Sequence, residues 1–299
     1  MNKVVVRVPA STSNCGAGFD TLGLALKLYN RVTLTRAAGA EPVPERPADS
    51  RAQAMAAEAA ESFFQATGTR PAGFTYRIDG TVPPARGLGS SVTVAAGVIA
   101  GLDALHGTSL GRKRLVGLVA AIEGHPDNAG AGILGGFCVS RSDPVTGAYV
   151  DSQCFAVPED VAFVVVSPPV EFVTKESRGS LPKALPFFDA VRSVNSAAYI
   201  VAAFASRDYS RLAHSEGDFI HEPYRLPVIP GGSQAIRAGI AAGAWTGWLS
   251  GSGSSVLCVC EREGAEGVLS AMTGAFAGAG TSSEGRILAA DNEGLAVEA

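Results

Sequence analysis

Alternating apolar and polar positions mark a series of short strands along the chain. Val4 to Val8 reads as one, with Arg31 to Thr35 as its neighbour. Phe74 to Asp79, Trp245 to Leu249, Val256 to Glu261 and Gly285 to Ala290 read the same way. Val161 to Val166 is apolar without a break and predicts a buried strand, and the glycine-rich, apolar run Ile133 to Ser140 predicts another. Helical spacing covers Arg51 to Thr67, with Phe63 and Phe64 on its inner side, and the small-residue run Val92 to Leu105. It recurs at Arg112 to Ile122, with Leu115, Val116, Leu118 and Val119 apolar. Thr174 to Leu185, Phe188 to Ser206, Gln234 to Ala242 and Ala265 to Ala275 complete the predicted helices. Ala37 to Ser50 is rich in Pro, Gly and Ala and predicts an exposed loop. The mixed order of strands and helices predicts an α+β fold in two halves, residues 1–154 and 155–299.

Composition narrows the function classes. At 299 residues, 46% hydrophobic and 17% charged, the chain can build a sizeable core. A net charge of −4 with no basic cluster argues against nucleic acid as the main partner. The longest apolar run, Val92 to Leu102, is too short to span a bilayer and is followed by Asp103. Five scattered cysteines (Cys15, Cys138, Cys154, Cys258, Cys260) show no metal spacing and predict free thiols in a reducing, cytoplasmic compartment. Cys258 and Cys260 alternate in a strand and read as core.

The run Pro83-Pro84-Ala85-Arg86-Gly87-Leu88-Gly89-Ser90-Ser91 carries the most chemistry. It ends a strand and opens a helix. Its glycines allow close backbone approach, and its serines stand where free N–H groups and the helix dipole favour an anion. Taken alone it fits a phosphate-binding loop and, equally, a glycine turn with a serine cap. It lacks the Lys of a Walker loop and the third glycine of a dinucleotide fingerprint.

Two further runs accompany it. One is Val8-Pro9-Ala10-Ser11-Thr12-Ser13-Asn14-Cys15-Gly16-Ala17-Gly18-Phe19-Asp20; the other is Ser250-Gly251-Ser252-Gly253-Ser254-Ser255. Together the three resemble the signature motifs of the GHMP small-molecule kinases, and Glu123-Gly124-His125-Pro126-Asp127-Asn128 resembles the homoserine kinase branch. The resemblance spans nearly the whole chain in order. It implies a ribosomal protein S5 domain 2-like first domain with a left-handed crossover, a ferredoxin-like second domain, and a site between them. It also implies ATP and magnesium, L-homoserine as acceptor, O-phospho-L-homoserine as product, and a homodimer.

By that resemblance Pro83, Arg86, Gly87, Leu88, Gly89, Ser90, Ser91, Ser252 and Gly253 serve the nucleotide, and Glu123 with Ser91 the metal. Without it, Glu123 reads as a solvated charge ending a helix, where a carboxylate is unfavourable and invites a cation. The implied acceptor is a zwitterion, which would need groups of both charges. Arg178 and Arg225, by default exposed cations, are implied to grip its carboxylate, which suits a planar guanidinium. Asp20 is implied to face its ammonium, with Asn14, His125, Asp127 and Asn128 orienting the ammonium or hydroxyl. The last three crowd a loop opened by Pro126, a common turn composition. Asn14, Glu123, Ser91 and Arg178 form the implied catalytic set.

Departures from the family pattern carry expectations of their own. Ser254 replaces a usual Pro and should relax its loop. Cys15 replaces an aliphatic residue and should pack as one. Val92 replaces a small alanine and should crowd the loop–helix join. No lysine lies in the first motif to act as a base, so positioning and charge neutralisation must carry the transfer. Other readings are a GHMP kinase for another small alcohol, such as L-threonine or shikimate, and a metabolite-binding paralogue without activity.

Overall fold

The computed structural model describes residues 1–46, 50–171 and 177–298. Two sheets organise it. The first is built from β1 (Lys3–Ser13), β2 (Leu22–Arg36), β3 (Pro42–Pro44), β4 (Phe74–Gly80), β5 (Phe137–Ser142) and β6 (Tyr149–Phe155), with β11 (Ala296–Glu298) returning to its edge. Its order is β11-β1-β2-β4-β3, and the β5–β6 hairpin pairs with the start of β2. The second contains β7 (Val161–Ser167), β8 (Thr246–Leu249), β9 (Val256–Glu261) and β10 (Glu284–Leu288) in the order β10-β7-β9-β8. Every pairing in it is antiparallel, and the succession fourth–first–third–second is the ferredoxin-like arrangement.

The helices are α1 (Ser50–Thr67), α2 (Ser90–His106), α3 (Arg112–Glu123), α4 (Asp127–Leu134), α5 (Phe187–Ser206), α6 (Glu222–Arg225), α7 (Gly232–Ala241) and α8 (Ala265–Gly278). Helices α1 to α4 cover the first sheet and share a core with Val4, Val6 and Val8 of β1. Helices α7 and α8 cover the outer face of the second sheet. Strict alternation in β7 serves two cores at once. Ala162, Val164 and Val166 face α7 and α8, while Phe163 and Val165 face a middle core shared with β2, β5 and α5. That middle core welds the halves together. A β-bulge between Pro9 and Ala10 makes this possible, because beyond it β1 and the start of β2 turn their apolar side to the middle core.

Several expectations change. Asp127 and Asn128 do not lie in a loop: they open α4, with Pro126 as its cap residue, and the strand expected from Ile133 begins only at Phe137. The short run Asp127–Leu134 is glycine- and alanine-rich, so spacing could not separate it from the strand that follows. The loop expected at Ala37 to Ser50 contains the short parallel strand β3. The helix expected at Thr174 to Leu185 falls partly outside the described residues; Ser177 and Arg178 are helical, and residues 179–186 are not. Ser254 is fully buried and donates to the Val170 carbonyl, which anchors its loop instead of relaxing it. Cys15 and Val92 are fully buried in apolar surroundings, as a small hydrophobe and a core residue respectively. Cys258 and Cys260 face the core beneath α7 and α8.

Candidate active site

A cleft of about 550 Å³ opens where the starts of α2 and α4, the end of α3 and the loop after β1 converge. Of the residues singled out above, Asn14, Asp20, Arg86, Gly87, Gly89, Ser90, Ser91, Glu123, His125, Asp127, Asn128, Arg178, Arg225 and Ser252 line it. Pro83, Leu88 and Gly253 do not: Leu88 is buried in the middle core, and a Cβ on Gly253 would abut Leu249 and Ile229.

The phosphate-loop end is built without a serine cap. Gly89 is the cap residue of α2, in a left-handed conformation (φ 65°), and makes no side-chain cap bond. The first N–H groups of this 17-residue helix therefore face the cleft uncapped by a side chain, an anion-favouring arrangement. Beside them Arg86 Nη1 is buried with no partner among the described residues. A buried unpaired cationic nitrogen is costly, and a phosphate oxygen would satisfy it. The glycines also answer to the protein itself. A Cβ on Gly87 would overlap the Ser250 carbonyl, and one on Gly89 would overlap the Ser11 hydroxyl. The Ser250 hydroxyl in turn lies 2.7 Å from the Gly87 carbonyl. The glycine–serine loop thus clasps the phosphate loop.

We therefore expect Gly89→Ala to lower the melting temperature more than Ser91→Ala, which loses one hydrogen bond to Glu123, and Ser91→Ala to cut turnover about tenfold or more. Thermal melts beside steady-state rates separate the two, and wild-type turnover in Ser91→Ala would remove that hydroxyl from the chemistry.

Glu123 ends α3 with no basic residue in the last turn, and Gly124 closes the helix in a left-handed conformation. Ser91 Oγ donates to Glu123 Oε2 at 2.9 Å. Burial pushes the carboxyl upward, against the Ser91 hydrogen bond, and Asp127 and Glu58 add to the rise. A carboxylate and a hydroxyl are hard oxygen donors, and a divalent cation would repay the buried charge. The donor set fits magnesium.

At the other end the charges compensate one another. Arg178 grips Asp20 with both nitrogens, Nη1 to Oδ2 at 3.0 Å and Nη2 to Oδ1 at 2.6 Å. The two groups expected to face opposite ends of a substrate face each other here. Arg225 is 4% exposed, and its Nε has no partner among the described residues. Burial, and then the charge of Arg178, lower its pKa to about 10. Both guanidinium groups lie over the Phe19 ring, 5.3 Å and 5.4 Å from its centroid.

His125 and Asp127 form a buried pair, Nδ1 to Oδ1 at 2.5 Å, and Asp127 Oδ1 also accepts the Asn128 N–H at 2.6 Å. Burial disfavours the charged ring, but the charge and hydrogen bond of Asp127 outweigh it and raise the His125 pKa. His125 Nε2 is buried without a partner among the described residues. Asp20, His125 and Asp127 bring ligand atoms within 4.8 Å of one another, but Arg178 and the ring itself already engage the two carboxylates. Asn14 and Asn128 work mainly as struts. Asn14 Nδ2 donates to the Gly251 carbonyl and its Oδ1 accepts the Asp20 N–H. Asn128 bridges Ser11 and Ser13 of β1.

Phe19, Ser13 and the α1 residues Arg51, Met55 and Glu58 also line the cleft and were missed. Phe19 carried a signal, a large aromatic alone in a glycine-rich loop. Helix α1 carried none, because its polar face reads as solvated.

Glu222, on α6 ahead of Arg225, faces away from the cleft. Burial pushes its carboxyl up to about 8, against the hydrogen bond it accepts from the Leu249 N–H at 2.7 Å. The folded chain thus keeps a proton that the unfolded chain releases above its ordinary value near 4.5. On this group's account stability is full below that value and falls as pH rises to about 8. Glu222→Gln should melt with wild type at pH 5 and above it at pH 8.5, by on the order of 2 kcal/mol or more. Equal melting temperatures at both pH values would mean that the carboxyl is not enclosed.

The geometry agrees with comparison to known proteins. The family model described as GHMP kinases N terminal domain matches residues 54–136, and that of GHMP kinases C terminal matches residues 200–278. A homoserine kinase of Moorella thermoacetica is 37% identical over 297 residues, covering 98% of this chain and 99% of that protein. One of a Synechococcus species is 36% identical over 294 residues, covering 96% and 93%. The crystal structure of homoserine kinase from Cytophaga hutchinsonii superposes with a TM-score of 0.88 at 25% identity, over 100% of this chain and 98% of that one. With both family models matched in order and relatives this similar over nearly its full length, the chain belongs to the GHMP kinase family, in its homoserine kinase branch.

Proposed function

We propose that the protein transfers the γ-phosphoryl group of ATP to the side-chain hydroxyl of L-homoserine, giving O-phospho-L-homoserine and ADP. The observation that carries this is one cleft with two kinds of end: an uncapped helix start with an unpaired Arg86 nitrogen, and a mixed-charge end made by Arg178, Arg225 and Asp20. The second end matches a zwitterion, and its charges argue against an isoprenoid alcohol.

In this reading Arg86 and the start of α2, with Ser90, receive the phosphates. Glu123 and Ser91 hold magnesium, which would neutralise charge on the transferring group. Arg178 and Arg225 hold the amino acid carboxylate, and Asp20 its ammonium. Asp127 orients His125 so that Nε2 meets the substrate. The hydroxyl oxygen attacks the γ-phosphorus, and the bond to the β–γ bridging oxygen breaks. The hydroxyl proton departs late to a phosphoryl oxygen, because a loose transition state asks little of a base. A homodimer and a cytoplasmic setting belong to the same proposal. Among the described residues no helix is long and apolar enough to cross a membrane. The exposed stripe Phe187, Phe188, Val191 and Val194 on α5 supports an interface between copies.

The test is ADP release with ATP and magnesium across L-homoserine, L-threonine, L-serine, shikimate and mevalonate. L-Homoserine should lead in kcat/KM by tenfold or more. A lead for shikimate or mevalonate overturns the reading.

A further inference from the structure

A second cavity, of about 350 Å³, lies behind the cleft. The two hollows share their walls. In the loop after β1, Asn14, Phe19 and Asp20 line the cleft, while Cys15, Gly16 and Ala17 line the second cavity. In α6, Arg225 reaches the cleft and Glu222 the second cavity. His221 ties the two segments together: Nε2 donates to the Gly16 carbonyl at 2.8 Å, and the ring stacks on Phe19 at 5.4 Å.

The chemistry of the second cavity is one-sided. Ile200, Leu226, Ile236, Ile240 and Trp248 give it an apolar wall. Glu222 is a lining carboxyl that the fold consumes only in part. Its Oε1 accepts the Leu249 N–H, and no cation pairs with it among the described residues. Asp218 is different, because its oxygens accept the N–H groups of Ile220, His221 and Glu222. Arg237 and Glu216, both exposed, complete the wall.

We infer that this cavity binds a small aliphatic primary amine, with the ammonium against Glu222 and the carbon chain against the Ile200–Ile240–Trp248 wall, and that occupancy tunes the cleft's affinity for its acceptor. The Glu222 carboxyl keeps its proton at neutral pH, so an ammonium binding there displaces that proton to solvent and holds the carboxylate ionised, while a short carbon chain matches the apolar wall. An anion would meet the oxygens of Glu222 and Asp218. A sugar would find too few polar partners, and a nucleotide too little room as well. Coupling follows from the shared walls. A ligand that moves Glu222 or residues 15–17 also moves Arg225, Phe19 and Asp20 on the other side of the same segments. The amine can come as a free amine or as an aliphatic amino acid, whose carboxylate would reach for Arg237.

The probe is 3-methylbutylamine, titrated by calorimetry into the protein alone and into protein saturated with L-homoserine and a non-hydrolysable ATP analogue. One site per chain should appear in both. Glu222→Gln and, independently, Ile240→Trp, which fills the far wall, should each weaken it tenfold or more. The amine should shift the KM for L-homoserine at least twofold with a smaller change in kcat. No binding, displacement by saturating L-homoserine, or equal affinity in both variants overturns the site; an unmoved KM overturns the coupling. Titration into the protein alone tests the cavity even if L-homoserine proves not to be the acceptor. Leucine in place of the amine identifies the source: tighter binding that is lost in Arg237→Ala points to an amino acid, and weaker binding to a free amine.

Discussion

Glu123→Gln should lose on the order of 10²-fold or more in kcat while melting no lower than the wild type. Glutamine keeps the size of the side chain and still accepts the Ser91 hydroxyl, which lies 2.9 Å away. What it removes is a negative charge that burial, Asp127 and Glu58 already disfavour. A residue kept for the fold would make the protein less stable when changed. A residue kept to hold a cation makes it equally or more stable and inactive. The opposite signs make the measurement decisive: steady-state kcat at saturating magnesium beside a thermal melt. Activity within about threefold of wild type would return Glu123 to an ordinary helix-end charge.

Arg225→Ala should raise the KM for L-homoserine tenfold or more, since a charge-assisted bond contributes roughly 1.5–3 kcal/mol. Arg225 is the cleaner test of the two arginines. Its guanidinium is buried, short of partners and lowered to about 10, so it is a cation awaiting an anion. Arg178→Ala should move KM in the same direction but also strips Asp20 of its partner. The KM for ATP should change far less in both. 3-Aminopropan-1-ol, which lacks the carboxylate, should be a poor substrate of the wild type and lose little further in Arg225→Ala. If it suffers as much as L-homoserine, the arginine serves the phosphate or the fold.

The strands were legible where the apolar runs were strong. Val161 to Val166 and Val256 to Glu261 match β7 and β9 closely because each must satisfy two cores by parity. Helix α4 was not legible. Its eight residues are small and apolar, its turn-like opening Pro126-Asp127-Asn128 hides a helix start, and its reason to be helical is tertiary. The site was legible as a set of motifs and not as a set of bonds. Sequence order brought Asp20 and Arg178 to the same cleft but not to each other, since a pairing across 158 positions leaves no local trace. The glycines of the phosphate loop were recognised, but a second reason for them left no local trace: Ser250 and Ser11, remote in sequence, occupy the space a Cβ would need.

The Arg178–Asp20 pair has a bearing on fidelity. The positive and negative poles that a zwitterion would need are joined to each other by this pair. An amino acid exchanges one internal ion pair for two external ones and leaves neither pole alone. A simple carboxylic acid or a simple amine, however well it fits in shape, must break the same pair and strand one pole in a half-buried cleft. Such singly charged competitors are common among small metabolites. If the cleft takes an amino acid as proposed, the closed pair acts as a toll that molecules with both charges recover, and singly charged ones would be rejected without a steric wall.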